Sequence, residues 1–121
     1  MKYCFDIESN GLLKETTKIH CIVSKDIETG EVYTESVPKA LERLENAELI
    51  IGHNIIKFDI PVLRKLHGFK TKADIFDTLI ATRLIYPDIA GSDFAKQNFP
   101  RDCIGRHSLK AWGYRIGNYK G

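Results

Sequence analysis

The sequence predicts an α/β fold, a mixed sheet flanked by helices, and three observations lead there. The chain opens with three consecutive short segments that are β-branched or aromatic and are separated by turn chemistry. The run Leu49-Ile50-Ile51-Gly52 then gives way to apolar residues at helical spacing, as when a strand feeds a helix. Helical periodicity dominates from there on, and strands followed by strand–helix alternation describe a sheet with helices packed on it.

Taken in order, residues 2–7 (KYCFDI) read as a buried first strand, with Ser9-Asn10-Gly11 supplying the turn. Residues 18–25 alternate in part, Glu28-Thr29-Gly30 forms a turn, and residues 31–36 alternate again, so an antiparallel meander is expected. Pro38 suits the first turn of a short helix over residues 38–46, whose Ala40, Leu41 and Leu44 lie on one face. The fourth strand, residues 49–52, leads to a helix over residues 60–67 carrying Val62, Leu63 and Leu66. Residues 74–76 suit a fifth strand and residues 78–85 a helix that Pro87 ends. Residues 88–106 read as long and irregular, with Gly91, Pro100 and Gly105. An amphipathic helix then resumes over residues 107–115, with Leu109 and Trp112 as its core-facing pair, although Gly113 and Gly117 oppose it.

A length of 121 residues suits one compact domain over residues 1–121, with neither a repeat nor a clear linker. Hydrophobic content of 43% and charged content of 28% are those of a globular chain, and a net charge of +2 does not by itself point to a polyanionic partner. Cys4, Cys21 and Cys103 are odd in number and lack CxxC spacing, which argues against a disulfide framework or zinc site and for a reducing cytosol. No apolar run approaches a membrane span, so a cytoplasmic location without membrane partners is expected.

The residues that carry chemistry are acidic. Asp6 and Glu8 sit one residue apart at the end of a strand, so both carboxylates project from one face, about 6–7 Å apart along the chain. Such a pair repels itself unless hard divalent cations neutralise it, the usual way to build a magnesium site. Two solvated acids at a strand end would look the same. The second element, residues 53–59 (HNIIKFD), follows an apolar strand and precedes a helix, a common site position in open α/β sheets. Its Asp59 has a structural alternative, because Asp before Ile60 and Pro61 is a good helix N-cap.

Together these elements resemble the DEDD (DnaQ-like) 3′-to-5′ exonucleases. Asp6-Ile7-Glu8-Ser9-Asn10-Gly11-Leu12 is similar to the first motif of that superfamily, and Asn54 through Asp59 to the second. The likeness is greatest to the N-terminal proofreading domains of family A DNA polymerases from short-tailed phages. It extends through Gly52-His53-Asn54, Lys57-Phe58-Asp59-Ile60-Pro61, Asp77-Thr78-Leu79 and the late run His107 to Arg115. The resemblance implies a ribonuclease H-like fold and a two-metal-ion exonuclease. Asp6 would bridge two magnesium or manganese ions, Glu8 would ligate the ion that holds the attacking water, and Asp59 would support the second. Leu12 matches a residue that wedges against the terminal base, Asn54 and Phe58 match residues lining the pocket for the last nucleotides, and Ser9 belongs with this substrate-binding set. The implied partners are single-stranded or frayed DNA 3′ ends and a polymerase domain, or a separate polypeptide completing the site. In such chemistry two ions about 3.5–4 Å apart clamp the scissile phosphate, and a mismatched end reaches the site more easily because it is already unpaired.

The pattern departs from the family in one respect. A fourth carboxylate, carried on a late helix in a Tyr-x-x-x-Asp or His-x-x-x-x-Asp motif, is absent: Tyr114 is followed four residues on by Asn118, and Asp102 precedes His107 in the wrong order. The expectation is therefore a domain lacking its last helix or helices and weakly active alone. A fragment, a split-gene product and a shortened relative stay open, as do a ribonuclease and a non-catalytic DNA- or polymerase-binding module of the same fold. Asp77 reads first as a helix cap. His20, His53, His67 and His107 lack metal-ligand spacing, with His53 a neighbour of the site through Asn54. Lys57, Arg64, Lys65, Lys70 and Lys72 read as a solvated basic face.

Overall fold

All five strands come from the first 77 residues of the chain, in a computed structural model that describes residues 1–118. The last three residues of the expected domain lie outside the described residues. Strands β1 (Lys2–Ser9), β2 (Ile19–Asp26), β3 (Val32–Glu35), β4 (Leu49–Gly52) and β5 (Asp74–Asp77) form one sheet in the order β3-β2-β1-β4-β5. The first three pair antiparallel, β4 runs parallel to β1, and β5 runs parallel to β4. This is the ribonuclease H-like mixed sheet that the resemblance implies.

Strand alternation decides which side of β1 is buried. Tyr3, Phe5 and Ile7 lie in the core, whereas Cys4, Asp6 and Glu8 face outward and are exposed. Helix α1 (Val37–Glu45) buries Ala40, Leu41 and Leu44, and α2 (Ile60–His67) buries Ile60, Val62 and Leu63 in the same apolar cluster, with Ile22 and Ile50 of the sheet. Each fully buried aliphatic side chain stabilises the fold by about 1.5–3 kcal/mol, so this cluster anchors the strands that carry the acids.

The contact pattern divides the chain into Met1–Thr78, which holds the sheet with α1 and α2, and Leu79–Gly121. Helix α3 (Thr78–Ile85) begins at that boundary, and the second unit also holds α4 (Ile89–Ala95) and α5 (Leu109–Ile116). The stretch expected to be irregular thus contains α4 and a 3₁₀ turn over Arg101–Cys103. Its helicity was hidden because Gly91 and Ser92 interrupt the apolar period; a tertiary bond holds it instead. Asp93 is fully buried and receives Arg115 Nε at 2.9 Å, Arg115 Nη2 at 2.7 Å and the Gly105 amide at 2.9 Å. The expected core pair of α5 is also corrected: Leu109 is exposed, the buried residues are Ala111 and Gly113, and Trp112 is half-buried in contact with the rings of Tyr86 and His107.

Candidate functional site

Pairing between β1 and β4 ends at Cys4 and Ile51, so Asp6 and Glu8 extend past the last β4 partner, where the sheet order switches direction. Crevices at such switch points are the usual ligand positions of open α/β sheets. The segment filling this one is residues 53–59. Gly52 lets it in: a Cβ there would collide with Ile55 Cγ2 and stand 3.1 Å from the Phe5 carbonyl oxygen. Asn54 adopts a left-handed conformation with φ 61°, Ile55–Asp59 follows as a single π-helical turn, and α2 begins at Ile60. A π turn widens the helix by one residue and recurs at functional sites; here it turns Asp59 inward.

Asp59 does not act as the helix cap that the sequence allowed, since its side chain makes no capping hydrogen bond to α2. It is 4% exposed, and the Ile7 amide, between Asp6 and Glu8 on β1, helps to stabilise its carboxylate. Burial, then the nearby charge of Asp6 and more weakly that of Asp77, raises its pKa from 3.8 to about 7. Its Oδ2 is buried and takes no hydrogen bond among the described residues.

An orphaned carboxylate oxygen beside a second carboxylate fits a hard divalent cation, which would supply the missing partner and cancel the repulsion. Asp6 and Asp59 therefore have the donor chemistry for magnesium or manganese. Glu8 shares the face of Asp6 as its spacing dictates, yet among the described residues no group of three His, Cys, Asp or Glu side chains converges closely enough to hold an ion. The structure brings the charge of Asp6 to bear on Asp59.

Asp77, weighed in the sequence as a site neighbour but favoured as a helix cap, has a further part. Its Oδ1 accepts the Asn54 amide at 2.9 Å and its Oδ2 the Ile56 amide at 3.0 Å. These bonds tie the end of β5 to the turn that delivers Asp59. The signal for them was the buried position of Asp77 at a strand end, which one sequence cannot distinguish from a cap. His53, beside Asn54, meets Thr78 Oγ1 through Nδ1 at 2.9 Å, and that hydroxyl donates to the Gly52 carbonyl at 3.3 Å.

The remaining predicted residues lie around the acid pair's strand and turn. Leu12 is 70% exposed at the start of a fastened loop. Asn10 Oδ1 accepts from Thr16 Oγ1, Thr17 N and Lys18 N, while Lys65 Nζ donates to the carbonyls of Leu13, Lys14 and Thr16. Lys65 is thus a loop fastener, a correction to its reading as part of a solvated basic face. Ser9 Oγ donates to the Gly11 carbonyl at 3.0 Å, and Phe58 is partly buried against the core.

No protein-family model matches the sequence. The DNA-directed DNA polymerase of Enterobacteria phage T3 is 35% identical over 133 residues, and that of Escherichia phage T7 is 36% identical over 134. Each match covers 96% of this chain but only 19% of the polymerase. A solved nuclease in its apo form superposes with a TM-score of 0.66 at 21% identity, over 99% of this chain and 54% of that one, which speaks for the fold. Over 96% of its length the chain is homologous to one segment of these phage DNA polymerases, and it has a ribonuclease H-like fold.

Proposed function

We propose that this chain is a metal-dependent 3′-to-5′ exonuclease domain of the proofreading type, acting on single-stranded or frayed DNA 3′ ends. The observation that carries the reading is the buried Oδ2 of Asp59, without a hydrogen-bond partner among the described residues and under the influence of the Asp6 charge. Asp6 and Asp59 would hold a magnesium or manganese ion, with Glu8 joining for a second. Bound there, such ions supply a water nucleophile at neutral pH and neutralise the scissile phosphate. The chain's own residues hold the end of the strand. Leu12, exposed on a loop fixed by Asn10 and Lys65, would press on the terminal base, and Asn54, Phe58 and Ser9 would line the pocket for the last nucleotides. Hydrolysis breaks the bond between phosphorus and the 3′ oxygen, which takes a proton, and frees a nucleoside 5′-monophosphate.

A second reading rests on the failure of Glu8 to complete a three-ligand group among the described residues. In it the chain binds DNA or a polymerase partner without cutting. Digestion of 3′- and 5′-labelled single-stranded DNA, with magnesium, with manganese and with a chelator, separates the two. Exonuclease action predicts immediate release of the 3′ label as a mononucleotide and a descending ladder from the 5′ label, both abolished in Asp6→Ala. Persistence of full-length DNA with a folded chain overturns the exonuclease reading for this chain and leaves an inert fragment or a binding module, and equal loss of an all-RNA strand redirects the substrate to RNA.

A further inference from the structure

The second unit carries a cavity of about 540 Å³ lined by Asp93, Phe94, Lys96, Asn98, Phe99, Arg101 and Ile104. Three features of its wall have no evident role in folding. Phe94 is 73% exposed, so its ring contributes little to burial. Lys96 and Arg101 form no ion pair among the described residues, although an acid lines the same cavity. That acid, Asp93, is already committed: its carboxylate is fully buried and bound by Arg115 and the Gly105 amide, which leaves the cavity net basic. The second ring, Phe99, is held in place rather than free. Lys96 Nζ lies 5.5 Å and the Arg115 guanidinium 5.6 Å from its centroid, and Tyr114 meets it edge-on at 6.3 Å.

Aromatic faces beside cations that no carboxylate pairs among the described residues, in a concave space of this size, are the components of a single-strand nucleic-acid pocket: the rings stack on a base and the cations take its phosphates. An acidic peptide would satisfy Lys96 and Arg101 but would leave the exposed face of Phe94 without a flat partner. We infer that this cavity is a binding site for a nucleotide of single-stranded DNA, separate from the acid pair and needing no metal. Phe94 stacks on the base, and Lys96 and Arg101 neutralise the adjoining phosphates.

Anisotropy titration of a fluorescent eight-residue oligothymidylate in chelator tests this without any cleavage, so its outcome does not depend on the exonuclease reading. Phe94→Ala, at an exposed position, is expected to weaken binding roughly tenfold with an unchanged circular dichroism spectrum. Lys96→Glu with Arg101→Glu is expected to weaken it further and to reduce the slope of log K against log salt by roughly 1.4, the value for two single-strand phosphate contacts. Wild-type affinity in both variants overturns the assignment, as does loss of binding in Leu12→Ala alone. Failure of the unaltered chain to bind the oligonucleotide overturns it too.

Discussion

Asp59 concentrates the conflict that defines the site. Its carboxyl is buried beside Asp6, which raises its pKa to about 7 in the folded chain against an ordinary value of 3.8. The folded state therefore holds this proton more tightly than the unfolded state, and the stability it contributes is full below roughly pH 4 and is lost as pH rises toward 7. In chelator, melting should show a decline across that window worth no more than roughly 4 kcal/mol, levelling off above pH 7 and absent in Asp59→Asn. Asp93 has the opposite sign in a different window: Arg115 lowers its pKa, so its contribution is lost only as pH falls below about 4. A flat profile from pH 4 to 7 in the unaltered chain would show that Asp59 is not held in this way.

At the scale of elements, the site is a property of the turn between β4 and α2. Asp77 fixes two amides of that turn, so Asp77→Ala leaves two part-buried donors without their acceptor and should cost about 2–4 kcal/mol. Displacing Asp59 should also slow any cleavage by roughly one to two orders of magnitude. Asp77→Asn keeps an acceptor and should recover part of both losses, whereas a purely global stability effect would leave the rate per folded molecule unchanged. Much of this arrangement was legible in the sequence. The alternation of β1 put Asp6 and Glu8 on one face, and the apolar run before His53 placed Asp59 at the correct strand end. The π turn was not legible, because Asp before Ile60-Pro61 carries the same local signal whether it caps the helix or turns inward. The loop-fastening role of Lys65 was equally hidden, since its partners are backbone carbonyls some fifty positions away, which leave no mark in composition or period. Helix α4 was missed because the buried Asp93–Arg115 pair, rather than an apolar stripe, holds it.

For the whole molecule, a net charge of +2 conceals how charge is distributed. Asp6 and Glu8 lie at the end of β1, while cations and rings line the cavity of the second unit. No helix among the described residues is long and apolar enough to cross a membrane. The chain spans 19% of the phage polymerases it resembles. The most direct test is a manganese titration followed by electron paramagnetic resonance near pH 8, comparing the unaltered chain with Asp59→Asn and Asp6→Asn. Saturable binding that weakens about tenfold or more in either variant is expected, because each substitution removes one charged oxygen ligand. Binding of equal strength in all three proteins, or none in the unaltered chain, would contradict the claim that this acid pair is a metal site.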